Sequence, residues 1–176
     1  MPDCFYIYGL FAFLCSRGKQ AFWYPPLHEF SQPKRAFRAL RTFFVKNLKV
    51  VYLADDDQDD RFFIRQAIRE AGAQVRIIEA ENGLELLELI QQEKHLQASL
   101  VLLDMNMPKM NGLETIAALR ADVHFAKVPV VMISTSSHLS LVETAYQAGV
   151  DDFFVKPSSM EEFNTLGHKL IAQFHL

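Results

Sequence analysis

The chain has 176 residues, 50% of them hydrophobic and 22% charged, with a formal net charge of −3. That apolar fraction excludes disorder throughout, and two cysteines, Cys4 and Cys15, exclude a disulfide scaffold. No apolar run reaches the roughly 20 residues of a membrane-spanning helix, and the charge leaves no global basic footprint for nucleic acid.

These totals average two unlike parts that meet near residue 48. Residues 1–48 hold seven Lys/Arg against two Asp/Glu, both cysteines and 12 of the 21 aromatic side chains. Residues 49–176 hold eleven Lys/Arg against nineteen Asp/Glu. Such asymmetry marks separate physical entities. Residues 4–15 (CFYIYGLFAFLC) have the apolar core of a signal peptide, but Asp3 stands where positive charge belongs. Trp23, Tyr24, Pro25 and Pro26 read as an irregular linker. Residues 34–46 (KRAFRALRTFFVK) are basic and amphipathic, with Phe37, Leu40 and Phe44 on one side. Contact with a membrane surface is one reading of that stretch. The favoured expectation makes 1–47 an aromatic, basic extension of non-native origin. The functional chain then starts at or near Val45: bacterial genes can initiate at GTG, which internally encodes Val, and no Met falls between Met1 and Met105.

From residue 48 to 176 one rhythm repeats five times: an apolar run, turn residues, then a stretch of helical period. The runs are 49–54 (KVVYLA), 75–80 (VRIIEA), 99–103 (SLVLL), 128–133 (VPVVMI) and 152–155 (DFFV). Most are continuous rather than alternating, as in strands covered on both faces. Ile64, Ala67, Ile68 and Ala71 make one helical stripe, and Leu113, Ile116 and Ala117 a second. Val142, Ala145 and Tyr146 make a third, and Phe163, Leu166, Leu170 and Phe174 the last. Gly72 and Gly149 stand where helix C-caps belong. Alternating strands and helices predict a parallel sheet with helices on both faces, an α/β three-layer doubly wound sandwich.

In such a sheet the functional crevice lies beyond the carboxyl ends of the strands. There the first run is followed by Asp55, Asp56 and Asp57, then Gln58, Asp59 and Asp60. The third is followed by Asp104, Met105, Asn106, Met107 and Pro108, the fourth by Ser134 and Thr135, and the fifth by Lys156 and Pro157. Clustered carboxylates raise each other's pKa unless a cation intervenes. Hard oxygen ligands that leave sites to water suit Mg²⁺. A lysine and a hydroxyl opposite suit an anion. Cation, anion and a carboxylate between them describe phosphoryl transfer to an aspartate.

The segments LADDDQDD, LLDMNMPKMNG, VMISTSS and FFVKP resemble the receiver domain of two-component response regulators. The resemblance covers 48–176, with four motifs in order at the ends of the right strands. It implies a flavodoxin-like five-stranded sheet of order 2-1-3-4-5, with Asp104 as phosphoacceptor. Asp56 and Asp104 would bind Mg²⁺ directly, Asn106 through its backbone carbonyl and Asp55 through water. Ser134 matches the switch hydroxyl, although Thr135 beside it offers the same chemistry. Lys156 matches the lysine that contacts the phosphoryl group and Phe153 the switch aromatic. The bond between Lys156 and Pro157 matches one that is typically cis. Asn106 and Ser136 match positions that tune self-catalysed dephosphorylation.

Blander readings stand beside these. Asp55 and Asp56 could cap the first helix, although Asp57 or Asp59 can do so instead. Pro108 and Gly112 shape the loop after Asp104. An EF-hand built on Asp55, Asp57 and Asp59 fails, because Asp60 stands where Gly is required and Gln66 where Glu is. A haloacid-dehalogenase-type phosphatase lacks its later acidic pair. After Lys156 there is room for a closing helix and no output domain, so a single-domain regulator is expected. Its phosphate would come from a histidine kinase or histidine phosphotransfer protein in the cytoplasm of a bacterium. Output would be a changed binding surface toward a downstream protein, with no nucleic acid bound and no separate substrate reaction. The alternative is an interaction module whose phosphorylation site is vestigial.

Overall fold

Each of the five apolar runs forms a strand in the computed structural model of the chain. It describes residues 48–93 and 95–176, together with Tyr6–Ile7 and Leu10–Phe11. The chain divides into two units, Met1–Asn47 and Leu48–Leu176. In the first, Tyr6–Ile7 pairs antiparallel with Leu10–Phe11. The expected linker at 23–26, the amphipathic stretch at 34–46 and the start at Val45 lie outside the described residues.

The second unit runs β1 (Lys49–Ala54), α1 (Gln58–Glu70), β2 (Val75–Ala80), α2 (Gly83–Gln92), β3 (Ala98–Asp104), α3 (Gly112–Ala121), β4 (Val130–Ser134), α4 (Leu139–Gln147), β5 (Asp152–Val155) and α5 (Met160–Phe174). The strands are parallel in the order β2-β1-β3-β4-β5, which is the 2-1-3-4-5 order expected. β4 starts two residues later than its apolar run, because Pro129 has no N–H to give to a ladder.

The sheet is buried on both sides, and successive residues of a strand serve opposite cores. Val50, Tyr52, Val101, Leu103, Val130 and Met132 pack with α2, α3 and α4 through Leu86, Ile90, Ile116, Leu119 and Ala145. Val51, Leu53, Leu100, Leu102, Val131 and Ile133 pack with α1 and α5 through Ile64, Ala67, Ile68, Phe163, Leu166 and Leu170. This is why the runs do not alternate.

Two stripe assignments need correction. Ala117 is exposed, and Thr115 and Leu119 take the inner face of α3 beside Ile116. Tyr146 is 46% exposed, its hydroxyl donating to Asp152 across the α4–β5 connection. A residue next to a buried position in the helical period sits at the stripe's margin, and packing decides its side. Gly72 and Gly149 have φ of +94° and +100°, one residue past the C-caps Ala71 and Ala148. Their left-handed backbone ends α1 and α4 at little steric cost.

Candidate functional site

Strand register brings the polar residues together. Ala54 lies opposite Leu103, so the next residues, Asp55 and Asp104, leave the sheet side by side. Ser134 lies opposite Val155, which sets Lys156 one step beyond it, and the Lys156 N–H donates to the Ser134 carbonyl at 2.8 Å. Four strand ends therefore build one crevice.

Asp55 is 1% exposed and Asp104 5%, whereas Asp56 faces solvent. One oxygen from each of these three carboxylates lies within 4.8 Å of the others. Three hard oxygen donors, one open to water, suit a divalent cation of the Mg²⁺ class. The Lys156 ammonium closes the other side, 2.9 Å from Asp55 Oδ2, 2.9 Å from Asp60 Oδ2 and 3.2 Å from Asp104 Oδ1.

Burial pushes the Asp55 carboxyl up to about 6, although hydrogen bonds from Lys156 and the Asp57 N–H pull the other way. Burial raises Asp104 as well, against the pull of Lys156. For Lys156 burial alone would favour the neutral amine. The hydrogen bonds to Asp60 and Asp55, with the charges of Asp55 and Asp104, outweigh it and hold the ammonium above its usual range.

The backbone around Asp104 is held by sterics and hydrogen bonds. The Asn106 N–H donates to Asp104 Oδ2 at 3.0 Å, and the Gly112 N–H to the Met105 carbonyl at 3.0 Å. A Cβ on Gly112 would stand 2.4 Å from the Asp104 carbonyl oxygen, so only glycine fits there. Asp57 caps α1, accepting from the N–H groups of Asp59 and Asp60, which removes the capping alternative for Asp55 and Asp56. Ser134 is fully buried, with Oγ 3.3 Å from the Ser136 N–H, while Thr135 is exposed. The fold thus separates two hydroxyls that are adjacent in sequence. Phe153 is half-buried against the α2–α3–α4 core. The bond between Lys156 and Pro157 is trans, against expectation; the two isomers at a proline differ by only about 0.5–1 kcal/mol, so local context selects between them.

Two residues without an expected role belong to the site. Arg61, buried in α1, donates to the Asp55 carbonyl at 2.6 Å and is braced by Glu79 at 3.6 Å and Glu81 at 3.7 Å. Asp60 is the other. It occupies N3 of α1, where a carboxylate often bonds back to the N-cap N–H. That N–H, on Asp57, goes instead to Asp55 Oδ1 at 3.0 Å, which leaves Asp60 for Lys156. Its offset of three from Asp57 signals only a capping role, so nothing local in the sequence marks its contact with Lys156, 96 residues away.

Residues 51–166 match the family model of the response regulator receiver domain. Chemotaxis protein CheY1 of Helicobacter pylori (strain J99 / ATCC 700824) is 34% identical over 105 residues, 60% of this chain and 82% of that protein. The phosphorylated cyanobacterial phytochrome response regulator RcpA superposes with a TM-score of 0.67 at 22% identity, covering 73% of this chain and 94% of its own. The response regulator Rcp1, in its Mn(2+)-bound form, gives 0.63 at 23% identity, with 70% and 92% covered.

Proposed function

This chain belongs to the response regulator receiver domain family, and on that premise we propose that Asp104 accepts a phosphoryl group and that Asp55, Asp56 and Asp104 bind Mg²⁺. The observation that carries the proposal is the position of the Asp104 carboxylate, between the acidic pair and the Lys156 ammonium. Membership of the receiver family supports phosphoacceptance in two-component signalling. The Mn(2+) of Rcp1 is consistent with a divalent ion at such a site.

An Asp104 carboxylate oxygen attacks phosphorus. A P–O bond forms as the donor's bond breaks, P–N in a phosphohistidine or P–O in acetyl phosphate, and the donor leaves with the electron pair. Asp55, Asp56, Asp104 and the Asn106 backbone carbonyl would hold Mg²⁺, which would supply charge neutralisation at the transferring group. Lys156 donates to the phosphoryl oxygens. Ser134, rather than exposed Thr135, turns its hydroxyl toward the phosphoryl group, and Phe153 moves into the space vacated. That two-state change alters the surface offered to a downstream protein, with a coupling of about 1–3 kcal/mol. The phosphodonor in the cytoplasm is a histidine kinase or histidine phosphotransfer protein. Residues 48–176 carry this activity, and 1–47 are an extension outside it.

Intact-mass spectrometry with Mg²⁺ and acetyl phosphate or phosphoramidate tests the assignment. One phosphoryl adduct is expected, absent with EDTA and absent in Asp104→Asn. An undiminished adduct in that variant would move the acceptor elsewhere. No adduct on the unmodified chain would favour an interaction module with a vestigial site.

A further inference from the structure

We infer that Asp60 is a positioning residue for Lys156, an acceptor that keeps the ammonium in the site when a divalent cation takes over Asp55 and Asp104. The inference rests on the reading above, in which those carboxylates bind Mg²⁺. An ammonium has three N–H donors, and Lys156 directs them to Asp55, Asp60 and Asp104 at 2.9, 2.9 and 3.2 Å. Two of those acceptors belong to the carboxylate cluster that suits a cation, and Asp60 does not.

Lysine and divalent cation therefore compete for the same two carboxylates. When the ion binds, Lys156 gives up Asp55 and Asp104 and is repelled by the incoming charge. Its side chain is only 10% exposed, and a buried ammonium without an acceptor is costly. Asp60 removes that cost from the binding equilibrium. It is anchored in the first turn of α1 and released from capping by the bond between the Asp57 N–H and Asp55 Oδ1. With its side chain 26% exposed, it can hold Lys156 at the rim of the crevice. Without Asp60 the ammonium falls back on Asp55 and Asp104 and competes harder with the ion.

A carboxylate near a cation also attracts it through space, and only a lysine-dependent effect separates positioning from that general field. The test is titration of the full chain with MgCl₂, following backbone amide shifts around Asn106, for the unmodified protein, Asp60→Asn, Lys156→Met and the double variant. Asp59→Asn is the control, since it removes the same charge from the adjacent exposed position.

Asp60→Asn should weaken Mg²⁺ binding about fivefold with Lys156 present and less than about twofold in the Lys156→Met background. Asp59→Asn should change it less than about twofold. Equal losses in both backgrounds, a comparable loss in Asp59→Asn, or tighter binding in Asp60→Asn would each overturn the inference. Absence of Mg²⁺-dependent shifts in the unmodified protein would sink the metal-site reading and this inference together. Normal binding there, with no effect of Asp60→Asn, would sink this inference alone.

Discussion

At the carboxyl end of the sheet the Lys156 ammonium faces Asp55, Asp60 and Asp104, with Asp56 alongside. At the opposite end Arg120, in the last turn of α3, meets a matched set of acceptors. Its Nε and Nη2 donate to the Gly149 carbonyl at 2.9 and 2.7 Å, and its Nη1 to those of Phe125 and Val128 at 3.1 and 2.8 Å. Asp151 supplies the single balancing charge at 2.8 Å and also accepts the Val130 N–H. Both ends pin distant segments together. The Arg120 network is neutral and closed, so it only holds. The Lys156 cluster has more anions than cations; burial makes Asp55 and Asp104 resist ionisation, and a further cation would relieve the surplus. Surplus charge that packing leaves uncorrected is the physical mark of the site.

The sharpest test of this contrast is Arg120→Ala. It strands three carbonyls and Asp151 and should cost about 2–4 kcal/mol in thermal or urea unfolding. Mg²⁺ affinity, read by NMR titration, should stay within about twofold. A parallel loss of affinity would mean that the two ends are not independent.

Asp55→Asn should act in the opposite direction. In the folded, metal-free chain Asp55 has its pKa raised from 3.8 to about 6. The folded state therefore binds this proton more tightly than the unfolded one. The associated stability is fully present below the unfolded value and lost as pH rises through about 6. At pH 7.5 the unmodified protein bears that loss and the amide does not. Melts without metal at that pH should show a gain on the order of 2 kcal/mol, fading to nothing near pH 4. A gain independent of pH would show that burial of the charge is not its source.

The smallest effect is expected from Thr135→Ala. The side chain is exposed, so phosphorylation rates by mass spectrometry should stay within about twofold. Ser134→Ala should still be labelled but lose the phosphorylation-dependent amide shift at Phe153. If the two variants exchange these phenotypes, the buried hydroxyl is not the switch.

Much of the architecture was legible because it rests on local periodicity. The runs at 49–54, 75–80 and 152–155 coincide with β1, β2 and β5, since short apolar-rich runs bounded by turn residues and separated by helical stripes read as strands of one parallel sheet. Errors fell where one residue decides. Ala117 and Tyr146 border their stripes, and which border a helix turns inward depends on what it meets. The expected cis bond before Pro157 came from resemblance alone, with no local signal behind it.

Within the candidate site, Asp55, Asp56, Asp104, Ser134 and Lys156 could be read as strand ends, because a parallel sheet collects its carboxyl termini on one edge. The sequence by itself determined that these residues would share an edge. Only the tertiary structure decided which of them touch. Lys156 and Asp60 are 96 residues apart and meet because β5 closes one side of the sheet while α1 crosses its face. No local periodicity encodes that distance. Burial of Asp55 and exposure of Asp56 divide two identical neighbours for the same reason: a carboxylate's environment is set by what packs over it, and the packing comes from elsewhere in the chain.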